Sequence, residues 1–176
     1  MSDFAGLKVL IVDNNTFIAK TLYSILDAFG IKKLTLCKTL EDAEKLFYNK
    51  TYDAIFIDFM LENRKGLNFI KMIRASSCDK NPADIPVILN TGLTDIDTIT
   101  MARDAGVTEV IGKPFSPDQV YKKTYNALFN RREFINVDEY VGPNRRRKTM
   151  NIPEWTGDND RRSSTGNGEQ AGGGDE

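Results

Sequence analysis

With 176 residues, 40% of them apolar, the chain has the material for one domain with a proper core and some left for a tail. Its formal net charge of −1 excludes a general attraction to nucleic acid or to anionic membrane. It contains no histidine, which removes the usual catalytic triads, most zinc sites and any role as a phosphohistidine carrier.

Leu7 to Val12 is an apolar run of buried-strand type, and the Asp13-Asn14-Asn15-Thr16 that follows favours a turn and a helix N-cap. Phe17, Ile18, Leu22, Ile25, Leu26 and Phe29 then keep helical spacing up to Gly30, a suitable stop. Leu34 to Cys37 reads as a short strand. Thr39-Leu40-Glu41-Asp42 resembles a capping box, and Ala43, Leu46 and Phe47 make the buried stripe of a second helix. Ala54-Ile55-Phe56-Ile57-Asp58-Phe59 reads as a strand buried on both faces, with an acid near its C-terminal end, where open α/β sheets hold their ligands.

A polar loop from Glu62 to Gly66 leads into a third helix through Leu67, Ile70, Met72 and Ile73. Pro82 and Pro86 break the chain before the strand Val87-Ile88-Leu89, which ends in Asn90-Thr91-Gly92. Asp95 to Ala105 is a fourth helix, stopped by Gly106. Val107 to Ile111 is a weaker fifth strand, followed by Gly112-Lys113-Pro114-Phe115. Ser116 as N-cap, Pro117 behind it and Gln119 at the third helical position predict a helix that runs to about Phe129.

Beyond Asn130 the pattern changes. Phe134, Ile135, Val137, Tyr140 and Val141 are expected to pack as an extended strap, broken by Gly142-Pro143. Arg145 to Lys148 is a basic run, read as a solvated charge cluster in preference to a nucleic-acid contact. From Gly157 onward the Gly-, Ser-, Asn- and acid-rich composition predicts disorder. The chain therefore divides into a domain over 5–130, an extension over 131–156 and a disordered tail over 157–176. No apolar run is long enough to span a bilayer, and Met1-Ser2-Asp3-Phe4 lacks a signal-peptide pattern, so a cytoplasmic protein without membrane contact is expected. Cys37 and Cys78 are too few and too far apart for a zinc site or a disulfide framework, and read as reduced thiols.

Five strand–helix alternations with short connections imply an α/β fold, a parallel sheet with helices on both faces. Such a sheet gathers its strand C-termini along one edge, and the residues there are Asp13, Asp58, Thr91 and Lys113. Phosphoryl chemistry on a carboxylate needs an acceptor oxygen, a hard cation, a fixed positive charge and a small hydroxyl donor. Asp58 can accept and also bind metal, Asp13 can add a second carboxylate, Lys113 carries the charge and Thr91 the hydroxyl. Each has a plainer alternative: an Asp58–Lys113 ion pair, a helix cap at Asp13, an ordinary strand-end hydroxyl at Thr91.

Over roughly Leu7 to Phe129 the chain resembles the receiver domain of two-component response regulators, in VDN at 12–14, IDFM at 57–60, NTG at 90–92 and GKPF at 112–115. That resemblance implies a doubly wound, flavodoxin-like, five-stranded parallel sheet of order 2-1-3-4-5. It implies that Asp58 takes a phosphoryl group from a histidine kinase or phosphotransfer protein, and that Thr91 and Lys113 bind the phosphoryl oxygens. Asp13, Asp58 and the Met60 carbonyl would hold Mg2+. Asn14 stands where the family has a metal-binding acid; its amide oxygen can still ligate, with weaker magnesium binding. Val110 replaces a switch aromatic, so output is expected to run through backbone or helix shifts. Lys65 and Glu62 replace a common acid and a common proline, away from the expected chemistry.

The stretch from Arg132 to Lys148 resembles the ending of some stand-alone bacterial receivers with a Tyr-x-Gly-Pro-Asp/Asn-Arg-Arg-Arg pattern, and too little chain follows for a DNA-binding or catalytic module. The expectation is a stand-alone signalling protein, not an enzyme beyond magnesium-dependent self-phosphorylation and self-dephosphorylation. It would act on a partner protein through its fourth helix, fifth strand and fifth helix. The alternative is a pseudo-receiver, an interaction module independent of phosphorylation, suggested by Asn14 and Val110. A magnesium-dependent phosphatase of similar architecture is excluded, because Met60 stands where a second aspartate is needed.

Overall fold

Strands β1 (Lys8–Val12), β2 (Lys33–Cys37), β3 (Ala54–Asp58), β4 (Val87–Thr91) and β5 (Glu109–Gly112) form one parallel sheet in the order β2-β1-β3-β4-β5. The computed structural model describes residues 4–63 and 65–146. Between the strands run α1 (Thr16–Ala28), α2 (Leu40–Asn49), α3 (Gly66–Ala75) and α4 (Ile96–Asp104), and α5 (Pro117–Phe129) follows β5. The expected architecture and strand order are those observed.

Side chains alternate across the sheet because strand residues point to opposite faces. Leu10, Val12, Ile55, Ile57, Val87 and Leu89 enter one core with Phe47, Phe69, Ile70, Ile73 and Ala102, from α2, α3 and α4. Val9, Ile11, Ala54, Phe56, Ile88 and Ile111 enter the other with Leu22, Leu26, Val120 and Leu128, from α1 and α5. β3 and β4 are buried along their whole length, which explains the apolar runs Ala54 to Ile57 and Val87 to Leu89 that precede their polar ends.

The caps sharpen the helix starts. Asn15 caps α1, accepting from the Phe17 and Ile18 amides, so the cap is not Asp13. Ser116 and Gln119 form a complete capping box on α5. On α2 only half a box forms: Thr39 accepts from the Asp42 amide, and the Leu40 amide donates to Glu62 Oε1 at 2.9 Å.

The expected strap is instead a hairpin of β6 (Phe134–Val137) and β7 (Tyr140–Pro143), antiparallel and turning at Asp138-Glu139. Gly142 and Pro143, expected to break the chain, lie within β7. Gly142 is where the hairpin touches the body of the fold: a Cβ there would sit 2.7 Å from Gly106 Cα. Gly106, at φ +85°, is equally confined, since its Cβ would lie 2.6 Å from the Val141 carbonyl oxygen. Beside this contact Arg74 is buried, donating to the Gly106 carbonyl at 2.8 Å, to the Ile85 carbonyl at 2.9 Å and to the Ala83 carbonyl. Its guanidinium lies 5.6 Å over the Phe134 ring. Burial pulls its pKa down to about 10, so it remains a cation at neutral pH.

Arg145 is not free in solvent: it pairs with Asp104 at 3.1 Å and stacks 4.5 Å over Tyr140. Arg147, Lys148 and the tail expected to be disordered lie outside the described residues. Among the described residues, no helix is long and apolar enough to cross a membrane.

Candidate functional site

Parallel pairing brings the strand C-termini to one edge, and the four expected residues meet there. Asp58 ends β3 and Thr91 ends β4, while Asp13 and Lys113 directly follow β1 and β5. Asp58 is 6% exposed and Asp13 1%. Lys113 Nζ lies 2.8 Å from Asp58 Oδ1 and 3.0 Å from Asp13 Oδ2. One ammonium thus serves two buried carboxylates and leaves an excess negative charge, an arrangement that attracts a further cation.

Local backbone holds each part in place. Asp13 Oδ1 accepts from the Asn15 amide at 2.8 Å, which fixes the carboxylate while leaving Oδ2 for Lys113. The Lys113 amide donates to the Thr91 carbonyl at 2.6 Å, tying the end of β5 to that of β4. The Lys113–Pro114 peptide is cis. Thr91 Oγ1 accepts from the Leu93 amide at 2.9 Å and donates to the Leu93 carbonyl at 3.0 Å, so its hydroxyl is engaged by the following loop.

The loop after β3 closes against the site. A Cβ at Gly66 would lie 2.6 Å from the Asp58 carbonyl oxygen, so the start of α3 approaches as only glycine allows. Glu62 and Asn63 take left-handed conformations, φ 45° and 59°, and Glu62 braces this loop to the first turn of α2. Met60 and Asn14 are exposed at the same edge.

Two features were not read from the sequence. Phe17, assigned to the apolar spacing of α1, is 77% exposed in its first turn, and with Met60, Leu93 and Ile96 adds exposed apolar groups to the loops and helix starts of this edge. Asn90 is buried beside Asp58, with neither amide atom hydrogen-bonded among the described residues. Its only sequence signal is a polar residue closing the apolar run of β4.

No cluster of three Asp, Glu, His or Cys residues suited to a metal occurs among the described residues. Two carboxylates with backbone and amide oxygens nearby nevertheless fit Mg2+, which takes one or two carboxylates and keeps several waters.

The family model of the response regulator receiver domain matches residues 9–125, and the chain belongs to that family. Phosphorylation and Mg2+ are general features of the family, whose domains are signalling modules phosphorylated by histidine kinases or phosphotransfer proteins. The chain is 31% identical over 120 residues to the probable transcriptional regulator ycf27 of Cyanidium caldarium, covering 68% of this chain and 45% of that one. It is 26% identical over 125 residues to the chemotaxis protein CheY of Pseudomonas aeruginosa, covering 71% of this chain and 98% of that one. The chain spans about half the length of ycf27-type relatives.

Among solved structures, the chemotaxis response regulator CheY4 of Vibrio cholerae superposes with a TM-score of 0.62 at 24% identity, covering 69% of this chain and 98% of that one. A response regulator from Burkholderia pseudomallei, solved with a phosphorylated aspartic acid, a calcium ion and citrate, gives a TM-score of 0.57 at 25% identity, covering 69% and 66%.

Proposed function

We propose that this chain is a working phosphoacceptor, with a receiver domain over 5–130, that takes a phosphoryl group on Asp58 from a histidine kinase or phosphotransfer protein and signals by contact with a partner protein. The observation that supports this best is Lys113 Nζ held between two buried carboxylates at the carboxyl edge of the sheet. An Asp58 carboxylate oxygen attacks the phosphorus, the phosphorus–nitrogen bond to the donor histidine breaks, and an acyl phosphate forms. Lys113 leaves the attacked carboxylate and pairs with a phosphoryl oxygen, where its charge offsets the incoming negative charge. Thr91 gives up Leu93 and donates its hydroxyl to a second phosphoryl oxygen.

Asp13, Asp58 and the Met60 carbonyl would hold Mg2+, with the Asn14 amide oxygen as a weaker ligand; the ion supplies charge neutralisation at the phosphoryl group. Releasing Leu93 frees the loop before α4, so the added charge biases that loop and helix through the backbone, as Val110 at the aromatic position requires. The free cysteines are in keeping with a reducing cytoplasm.

The test is intact mass after incubation with Mg2+ and acetyl phosphate, beside an Asp58→Asn variant. One added phosphoryl group, absent from the variant and absent without magnesium, is the expected result. No adduct, together with no beryllofluoride binding, would instead favour the pseudo-receiver, for which the exposed amide at Asn14 speaks.

A further inference from the structure

Asn90 is 1% exposed, and neither Oδ1 nor Nδ2 has a hydrogen-bond partner among the described residues. A buried amide left without partners is destabilising, so its presence directly after the apolar run Val87 to Leu89 calls for a polar group that reaches it in some state of the protein. Register identifies the neighbours. On β4, Asn90 stands opposite Asp58 of β3 on one side and Ile111 of β5 on the other. Paired residues of parallel strands share a face, so Asn90 shares the face of the phosphoacceptor.

Lys113 lies two residues beyond Ile111, yet its ammonium reaches Asp58 on β3 and Asp13 beyond β1. Neighbouring strands lie about 4.8 Å apart, so the lysine chain must cross the end of β4, one residue beyond Asn90. An ammonium has three protons to donate, and the resting state commits it to the two carboxylates. Phosphorylation and metal binding would change both of those acceptors at once.

Building on the reading of Asp58 as phosphoacceptor, we infer that Asn90 is a positioning residue for Lys113. Its Oδ1 accepts an ammonium proton when Lys113 swings from the carboxylates to the phosphoryl group. The bond holds the charge over the incoming oxygens and gives the buried amide its partner.

The experiment compares full-length protein with Asn90→Leu, which keeps the heavy-atom count but removes the polar atoms, and Asn90→Thr, which returns one oxygen. Acetyl phosphate and Mg2+ are the probes. The readouts are the rate of adduct formation by intact mass, the Lys113 ammonium NMR signal with beryllofluoride, and thermal unfolding. The expected result is adduct formation about tenfold slower in Asn90→Leu, the scale of one hydrogen bond to a charged group. Asn90→Thr recovers part of the rate, the Lys113 signal broadens or shifts in the Leu variant, and its unfolding temperature is equal to the parent's or higher. Equal rates and equal Lys113 signals in parent and Leu variant would overturn the proposal while leaving Asp58 as acceptor. Failure of the parent to form an adduct would overturn the Asp58 reading, and this inference with it. If Asn90→Leu does not fold, the shorter Asn90→Val takes its place and is judged by the same outcomes.

Discussion

Asp58 and Lys113, 55 positions apart in sequence, form a 2.8 Å ion pair across the end of β4, and the same ammonium lies 3.0 Å from Asp13. Removing the ammonium would leave two buried carboxylates facing each other. Lys113→Met is therefore expected to lower unfolding stability by roughly 3 kcal/mol, the usual scale for orphaning a buried charge. Urea denaturation measures it, and added Mg2+ should restore part of the loss, because a cation that binds only the folded state stabilises it by mass action.

Arg74 carries the junction between α3, the loop before β4 and the hairpin. Arg74→Met keeps the aliphatic bulk but leaves the Gly106, Ala83 and Ile85 carbonyls without their donor. The expected loss is on the order of 3 kcal/mol by chemical denaturation.

Docking of the hairpin can be read from Gly106. Gly106→Ala imposes strain at φ +85° and a clash with the Val141 carbonyl. Ending the chain at Asn130 removes the clash with Val141 and leaves the backbone strain, about 1 kcal/mol, together with the close approach to Arg74, 3.0 Å at Cγ and 3.1 Å at Nε. A double-mutant cycle should therefore show Gly106→Ala costing more in the full chain than in the shortened one. Equal costs would mean the hairpin does not press on Gly106 in solution.

The α4 cap should show in the pH dependence. Asp95 accepts from the Thr98 amide at 2.9 Å and from the Thr98 hydroxyl at 2.8 Å, and these bonds hold its carboxyl below the usual carboxylate range. A folded value below the unfolded one contributes stability above the unfolded pKa of about 3.9, and that stability is lost as pH falls through the folded value. Asp95→Ala should thus be less stable than the parent at neutral pH, with the difference narrowing in acid, as thermal unfolding across that range would show.

The two thiols should react unequally. Burial pushes the Cys37 thiol up to about 12, with Asp42 adding to the shift, whereas Cys78 is only half-buried. Because the thiolate is the reactive form, a disulfide reagent at neutral pH should modify Cys78 in the native protein and Cys37 only after unfolding.

Much of the fold was legible because its determinants are local. The apolar runs at Val9 to Val12, Ala54 to Ile57 and Val87 to Leu89 specify strands buried on both faces, and the Ser116–Gln119 box marks the start of α5 to the residue. The four strand-end residues stood out because βα alternation puts every strand end on one edge, whatever the details of packing. Phe17 misled because residue type alone cannot say whether a position in a helix's first turn faces the core or the mouth of a site. Arg74 left a trace, a charge one helical turn after the buried Ile70, but its acceptors come from segments that only folding brings near.

The sequence by itself determined the five strands and five helices of the sheet domain, the Ser116 cap of α5 and the composition of the strand-end edge, since periodicity and capping act over a few residues. Only the tertiary structure decided that Gly142 and Pro143 continue a strand, because the reason is a contact with Gly106. Only it placed Lys113 between Asp58 and Asp13, a contact spanning 100 positions that depends on the order and register of β1, β3, β4 and β5. Register is set by how whole faces of the sheet are buried, and no local run of residues contains that information.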